Sequence, residues 1–176
     1  MTKENILLAE YNSLKVEQIE RIKVRDNLIY LALGSFGGLF SFAIIQNQFY
    51  VTALLPIVSF VLAWVYITND SKVSQIGRYI QNHLSKQVNK ELNVTDAFDW
   101  ENKFKTTSMR KIRSFFQFLT EVITFIIPPV FSLLFLDLNK NPDFNIFIFN
   151  IILIFTSFIL FCIYTCNKGS FKYDES

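Results

Sequence analysis

Residues 144–166 read FNIFIFNIILIFTSFILFCIYTC. No charged side chain interrupts this stretch, and at 1.5 Å rise per residue a helix over it covers about 35 Å, enough for a hydrocarbon core of about 30 Å. One such run could be the buried helix of a soluble protein. Three more precede it, at Leu28 to Ile45, Phe49 to Thr68 and Phe115 to Leu136, each about 27 Å or longer as a helix. Of the four, only Phe115 to Leu136 contains a charge, Glu121. In a chain of 176 residues, 51% hydrophobic with 20 phenylalanines, too little polar surface remains to wrap four apolar helices. The sequence therefore predicts an all-α integral membrane protein with four transmembrane helices.

Charge sets the expected orientation. Of the 17 lysines and arginines, all but Lys140 fall in the N-terminal segment, the loop between the second and third runs, or the C-terminal tail. By the positive-inside rule those three segments are cytoplasmic. The first run follows residues 1–27, of mixed charge, and ends without a small-residue cleavage site, so it reads as a retained span instead of a signal peptide. The expected organisation is a cytoplasmic amphipathic helix over 1–27, spans one and two within 28–68, a cytoplasmic helical hairpin over 69–114, spans three and four within 115–166, and a cytoplasmic tail over 167–176. A net charge of +2 is too small to argue for nucleic acid, and no direct nucleic-acid binding is expected. Cys162 and Cys166 lie one turn apart with no second Cys or His pair near them. They read as packing residues, and no metal or cofactor is expected.

Within the N-terminal segment, Leu7, Tyr11, Leu14, Gln18 and Ile22 recur at spacings of three and four, the mark of an amphipathic helix that needs something to lie against. The central loop, a neighbouring copy and the lipid surface all qualify. Span one carries Gly34 and Gly38 as a GxxxG pair extended by Ser41, a small face that lets another helix approach, within the subunit or from a second copy. In the central loop, Val73, Ile76, Ile80, Leu84 and Val88 form an apolar stripe. Asn93 to Asp96 supply a break and a new N-cap, and Phe98, Trp100, Phe104, Met109 and Ile112 mark a second helix running into span three.

Gln117, Thr120, Glu121 and Thr124 lie along one face of span three, with Pro128 and Pro129 expected to kink the helix just beyond. An ionisable group inside a span usually faces the bundle interior or water. These four residues are the candidate lining of a water path. The alternatives are a structural hydrogen bond, for example from Asn150 of span four to Glu121, or a Glu121 that reaches the cytoplasmic interface.

The only histidine, His83, follows Arg78 by five positions, an Arg-x4-His spacing used by many RNA-cutting sites. A histidine can exchange protons near neutral pH and an arginine can hold the scissile phosphate, so Arg78 and His83 are the candidate catalytic pair of a ribonuclease. On one straight helix, however, His83 falls about 20° from Ile76 and Arg78 about 160° from it. The two side chains then diverge, and a shared phosphate would require a local distortion or a second subunit. The other reading packs His83 in a helix interface.

The string Glu10-Tyr11, Arg21-x3-Arg25, Asn69-Asp70, Gln75-Ile76-Gly77-x-Tyr79-Ile80 and Trp100-Glu101, together with Arg-x4-His, resembles the small accessory membrane proteins of type VI-B CRISPR systems. Those proteins are encoded beside an RNA-guided RNA-cutting effector nuclease and carry a divergent HEPN-like motif. Arg78 and His83 match that motif, and Tyr79 departs from it, standing where a polar residue is usual. The resemblance implies a bacterial inner-membrane protein that assembles with itself into a ring-like, pore-forming homo-oligomer, depolarises the membrane and strengthens antiviral defence by the effector. A membrane-tethered ribonuclease and a non-conducting scaffold that recruits the effector are the rival expectations.

Overall fold

The computed structural model describes residues 3–93, 107–136 and 144–170. Among these residues all regular structure is helical. In chain order the elements are α1 (Lys3–Ile45), a 3-10 helix (Phe49–Leu54), α2 (Leu55–Tyr79), a π turn (Ile80–Leu84), α3 (Ser85–Leu92), α4 (Thr107–Phe125), α5 (Ile127–Phe135) and α6 (Phe144–Ser170). Four stretches are long and apolar enough to cross a membrane, within Lys3–Ile45, Phe49–Glu91, Phe115–Leu134 and Phe144–Cys166. The expected helix around Phe98, Trp100 and Phe104, the 137–143 link and the last six residues lie outside the described residues. Contacts divide the chain into two compact units, Met1–Asp26 with Thr68–Arg113 and Asn27–Ile67 with Ser114–Ser176.

The second unit holds the apolar runs, and its prolines decide where its helices begin and break. Pro56 has no N–H to give the Thr52 carbonyl, so the Leu55 N–H bonds it instead. That three-residue step makes the chain enter as a 3-10 helix before α2 is established. Pro128 and Pro129 likewise cannot donate to the carbonyls of Thr124 and Phe125 four residues earlier. α4 accordingly stops at Phe125, Ile126 takes φ −108°, and α5 restarts with both prolines in its first turn. Inside an apolar bundle an orphaned carbonyl is costly. The Ser59 hydroxyl of α2, itself buried, donates to the Phe125 carbonyl and removes that cost. Ser59→Ala is expected to lower the stability of the detergent-purified protein by about 1 kcal/mol, read from its unfolding in a denaturing detergent.

The core of this unit joins Leu28, Ala32 and Phe36 of α1, Leu55, Ala63 and Tyr66 of α2, Phe125 and Ile126 at the break, and Phe161 of α6. The Phe125 ring lies 5.4 Å from Tyr66 and 5.8 Å from Phe161, centroid to centroid. Phe42, Trp64, Phe131, Phe149 and Phe155 point outward and are exposed, a surface that suits hydrocarbon better than water.

In the first unit the face of α1 formed by Leu7, Tyr11 and Leu14 packs on Ile76, Ile80, Leu84 and Val88. Of the partners open to that stripe, the central loop takes it. Gln18 donates to the Val73 carbonyl at 3.4 Å, Asn69 donates to the Arg21 carbonyl at 2.5 Å, and Arg25 pairs with the buried Asp70 at 2.9 Å. Gly77 permits the approach, since a Cβ there would meet the Gln18 amide nitrogen at 3.3 Å. The straight helix expected over this loop is instead broken by the π turn. Ile76, Ile80, Leu84 and Val88 repeat every four residues, and on an α-helix such a repeat drifts by about 40° per step. A wider π turn takes back part of that drift and keeps the stripe facing α1. α3 ends where Asn93 adopts the left-handed conformation, φ 51°.

Candidate functional site

Two groups of side chains are candidates for function, one in each unit. In the first unit Arg78 occupies the last turn of α2, half-buried, and His83 lies on the π turn, exposed. The distortion that the sequence argument required therefore falls between them. Among the described residues His83 is exposed and no helix packs over it. Its ring stacks on Tyr79 at 5.6 Å with 22° between planes. The Tyr79 hydroxyl donates to Glu10 at 2.7 Å, and this hydrogen bond, with the negative charge of Glu10, raises the phenol above its usual value of 10. The sign follows directly. A bond that holds the proton on Tyr79 is intact below the ordinary phenol range and is lost as pH rises through the raised value, so Tyr79 should ionise later than a free tyrosine. The phenolate absorbance of wild type minus Tyr79→Phe checks this.

In the second unit the residues singled out on span three separate by burial. Glu121 and Thr124 are buried at 3% and 4% exposure, Gln117 is half-buried, and Thr120 faces outward with its hydroxyl on the Phe116 carbonyl. The Gln117 amide donates to Glu121 at 3.1 Å, one turn along α4. Glu121 is thus held inside the helical bundle of its own unit. Asn150 does not supply the partner considered for it. Its side chain is buried at 1% exposure, with neither the amide nitrogen nor the oxygen bonded.

Among the remaining buried hydroxyls sequence reasoning missed Ser132 and Ser157, whereas Thr52 belongs to a face of small residues at spacings of three and four, Thr52, Pro56, Ser59 and Ala63, that is legible in the sequence and buried in the structure. Thr52, Ser132 and Ser157 are buried, and each hydroxyl donates within its own helix, to the carbonyls of Phe49, Pro129 and Leu153. Single hydroxyls such as Ser132 and Ser157, scattered in apolar runs, give no periodic signal, and only the folded bundle shows that they turn inward. The glycine face does the opposite. Gly34, Gly38 and Ser41 are exposed, and a Cβ built on either glycine meets nothing within 4 Å. The packing of α1 inside the unit is made by Leu28, Ala32 and Phe36.

Among the described residues no group of His, Cys, Asp and Glu could hold a metal ion. An apolar groove of about 240 Å³, lined by Ile126, Leu133, Ile151, Ile154, Phe155 and Phe158, offers no polar group to a ligand. No family model, curated protein or solved structure matches the chain.

Proposed function

We propose that the protein permeabilises a bacterial inner membrane, crossing it four times with both termini in the cytoplasm, and that it serves as an antiviral accessory to an RNA-guided RNA-cutting nuclease of the type VI-B CRISPR kind. The observation that carries this reading is Glu121, an ionisable side chain enclosed within apolar helices and bonded to Gln117. A charge in that position is expensive, and ionisable groups kept inside apolar bundles commonly mark paths for water or ions. Gln117, Thr124 and, at the edge of the face, Thr120 extend the polar strip along the helix. The open face of Gly34, Gly38 and Ser41 supports assembly of a ring-like homo-oligomer, because small residues with nothing against them leave room for a helix of a second copy. In this reading Arg78 and His83 shape the cytoplasmic assembly.

The test is a potential-sensitive dye in bacteria carrying the protein together with its nuclease and a matching RNA target. Depolarisation that is lost in Glu121→Leu supports the proposal. Full potential with every component present overturns it.

One observation favours the ribonuclease reading: the π turn departs from the straight helix on which Arg78 and His83 would diverge. That reading requires RNA cleavage by the purified protein and its loss in His83→Ala. A scaffold would recruit the nuclease to the membrane and leave the potential unchanged.

A further inference from the structure

The buried polar side chains of the second unit are arranged in order along the bundle. At the end closed by the 46–48 turn, the 3-10 helix, α5 and α6 pack on one another, and they carry Thr52, Ser132 and Asn150, all essentially without exposure. The hydroxyls of Thr52 and Ser132 have spent their protons on nearby carbonyls and keep only acceptor lone pairs. Asn150 has spent nothing: a donor and an acceptor are both free inside the bundle. An amide buried in that state costs several kcal/mol unless something small and polar meets it. Water is the smallest candidate with both a donor and an acceptor.

Toward the opposite end the bundle is closed by rings. Tyr66, Phe125 and Phe161 are buried and contribute one aromatic side chain each from α2, α4 and α6, with Phe125 touching both others. Beyond this layer on α4, one turn before Phe125, stands Glu121 with Gln117. On α6, Asn150 lies about 16 Å before Phe161, and along the third span Ser132 lies about 10 Å past Phe125, so on both helices the buried polar side chain stands on the same side of the aromatic layer. Buried polar side chains, an aromatic layer and an ionisable group thus follow one another along the helices of one subunit.

We infer that this seam is a gated path for water and protons through the interior of the single subunit, with Glu121 as the proton-carrying group and Tyr66, Phe125 and Phe161 as the closed gate. The inference rests on the permeabilisation reading and makes it specific. The permeant species is the proton, the path does not run down the centre of a ring, and it conducts only when the aromatic layer parts. Small side chains and one carboxyl are enough for this purpose, because a proton moves along hydrogen-bonded water and needs no bore wide enough for a hydrated ion.

The test uses the full-length protein in liposomes loaded with a pH-sensitive dye, with potassium efflux read in parallel from the same vesicles. Phe125→Ala is expected to raise proton entry by about tenfold over wild type while potassium stays inside. Phe161→Ala, on the facing helix, should do the same and serves as the second variant should the first fail to elute as the wild-type particle. Adding Glu121→Gln, which keeps a hydrogen-bonding side chain beside Gln117 but cannot carry a proton as a carboxyl does, is expected to return either variant to the wild-type rate. The inference is overturned by unchanged proton entry in both aromatic variants, by proton entry that survives Glu121→Gln, or by potassium leaving at the same rate as protons enter. The last outcome leaves permeabilisation standing and moves the path elsewhere. Vesicles tight to both ions with every variant also overturn the inference, and leave the permeabilisation reading to the test with the nuclease and its target present.

Discussion

Arg25→Leu is expected to destabilise the protein by about 3 kcal/mol, because it leaves Asp70 as a buried charge without its guanidinium. Asp70 has a side-chain exposure of 3% and accepts from Arg25 at 2.9 Å. The Arg25 side chain, at 26%, is itself mostly covered, so little water can replace it. Asn69 beside it donates to the Arg21 carbonyl, so the same turn of α1 is held twice. The neighbouring acid gives the control. Asp26 touches the same guanidinium at 3.1 Å but is 51% exposed, and Asp26→Ala should cost less than about 0.5 kcal/mol. Unfolding in a graded denaturing detergent, followed by circular dichroism, measures both. Equal losses for the two variants would show that Asp70 draws nothing from the pair.

Ile80→Ala is the second large effect, about 3 kcal/mol. Ile80 has no exposure, opens the π turn and packs with Leu7, Ile76 and Leu84 in the first unit. Truncation leaves a cavity that the π turn is poorly able to close, since its spacing exists to hold this stripe against α1. Tyr79, its neighbour, is exposed and tied through its hydroxyl to Glu10, and Tyr79→Phe should leave the unfolding midpoint nearly unmoved. Hydrogen exchange on residues 3–26 separates the two cases: faster exchange is expected in Ile80→Ala and wild-type exchange in Tyr79→Phe.

Periodicity revealed faces, and it could not reveal partners. The spacing of Leu7, Tyr11 and Leu14 marks a stripe on any helix, and three different surfaces could have met it. The choice of Ile76, Ile80 and Leu84 depends on a long-range fit that no local window contains. Glycine spacing behaves the same way: Gly34 and Gly38 signal close approach, and nothing local tells that the approach is left open within the subunit. Proline was legible because its defect is local. A missing N–H at Pro128 and Pro129 disturbs the carbonyls four residues back, and the helix changes there; the same defect at Pro56, with the 3-10 entry it causes, was not read from the sequence. The π turn was hidden in a repeat of four residues read as an ordinary helix stripe. Asn150 was visible only as a polar residue in an apolar run, and its burial without a partner became evident when α5, α6 and the 3-10 helix were placed together.

Permeabilisation and the proton path both require Glu121 and Asn150 to lie within a bilayer. The most direct measurement is a pair of reporter fusions in a bacterial host, green fluorescent protein after Ser176 and alkaline phosphatase inserted after Asn47. Four crossings with cytoplasmic termini predict fluorescence at Ser176 and phosphatase activity at Asn47, with the protein in the membrane fraction. Phosphatase activity from a fusion at Ser176, or full-length protein recovered in the soluble fraction without detergent, would contradict the account.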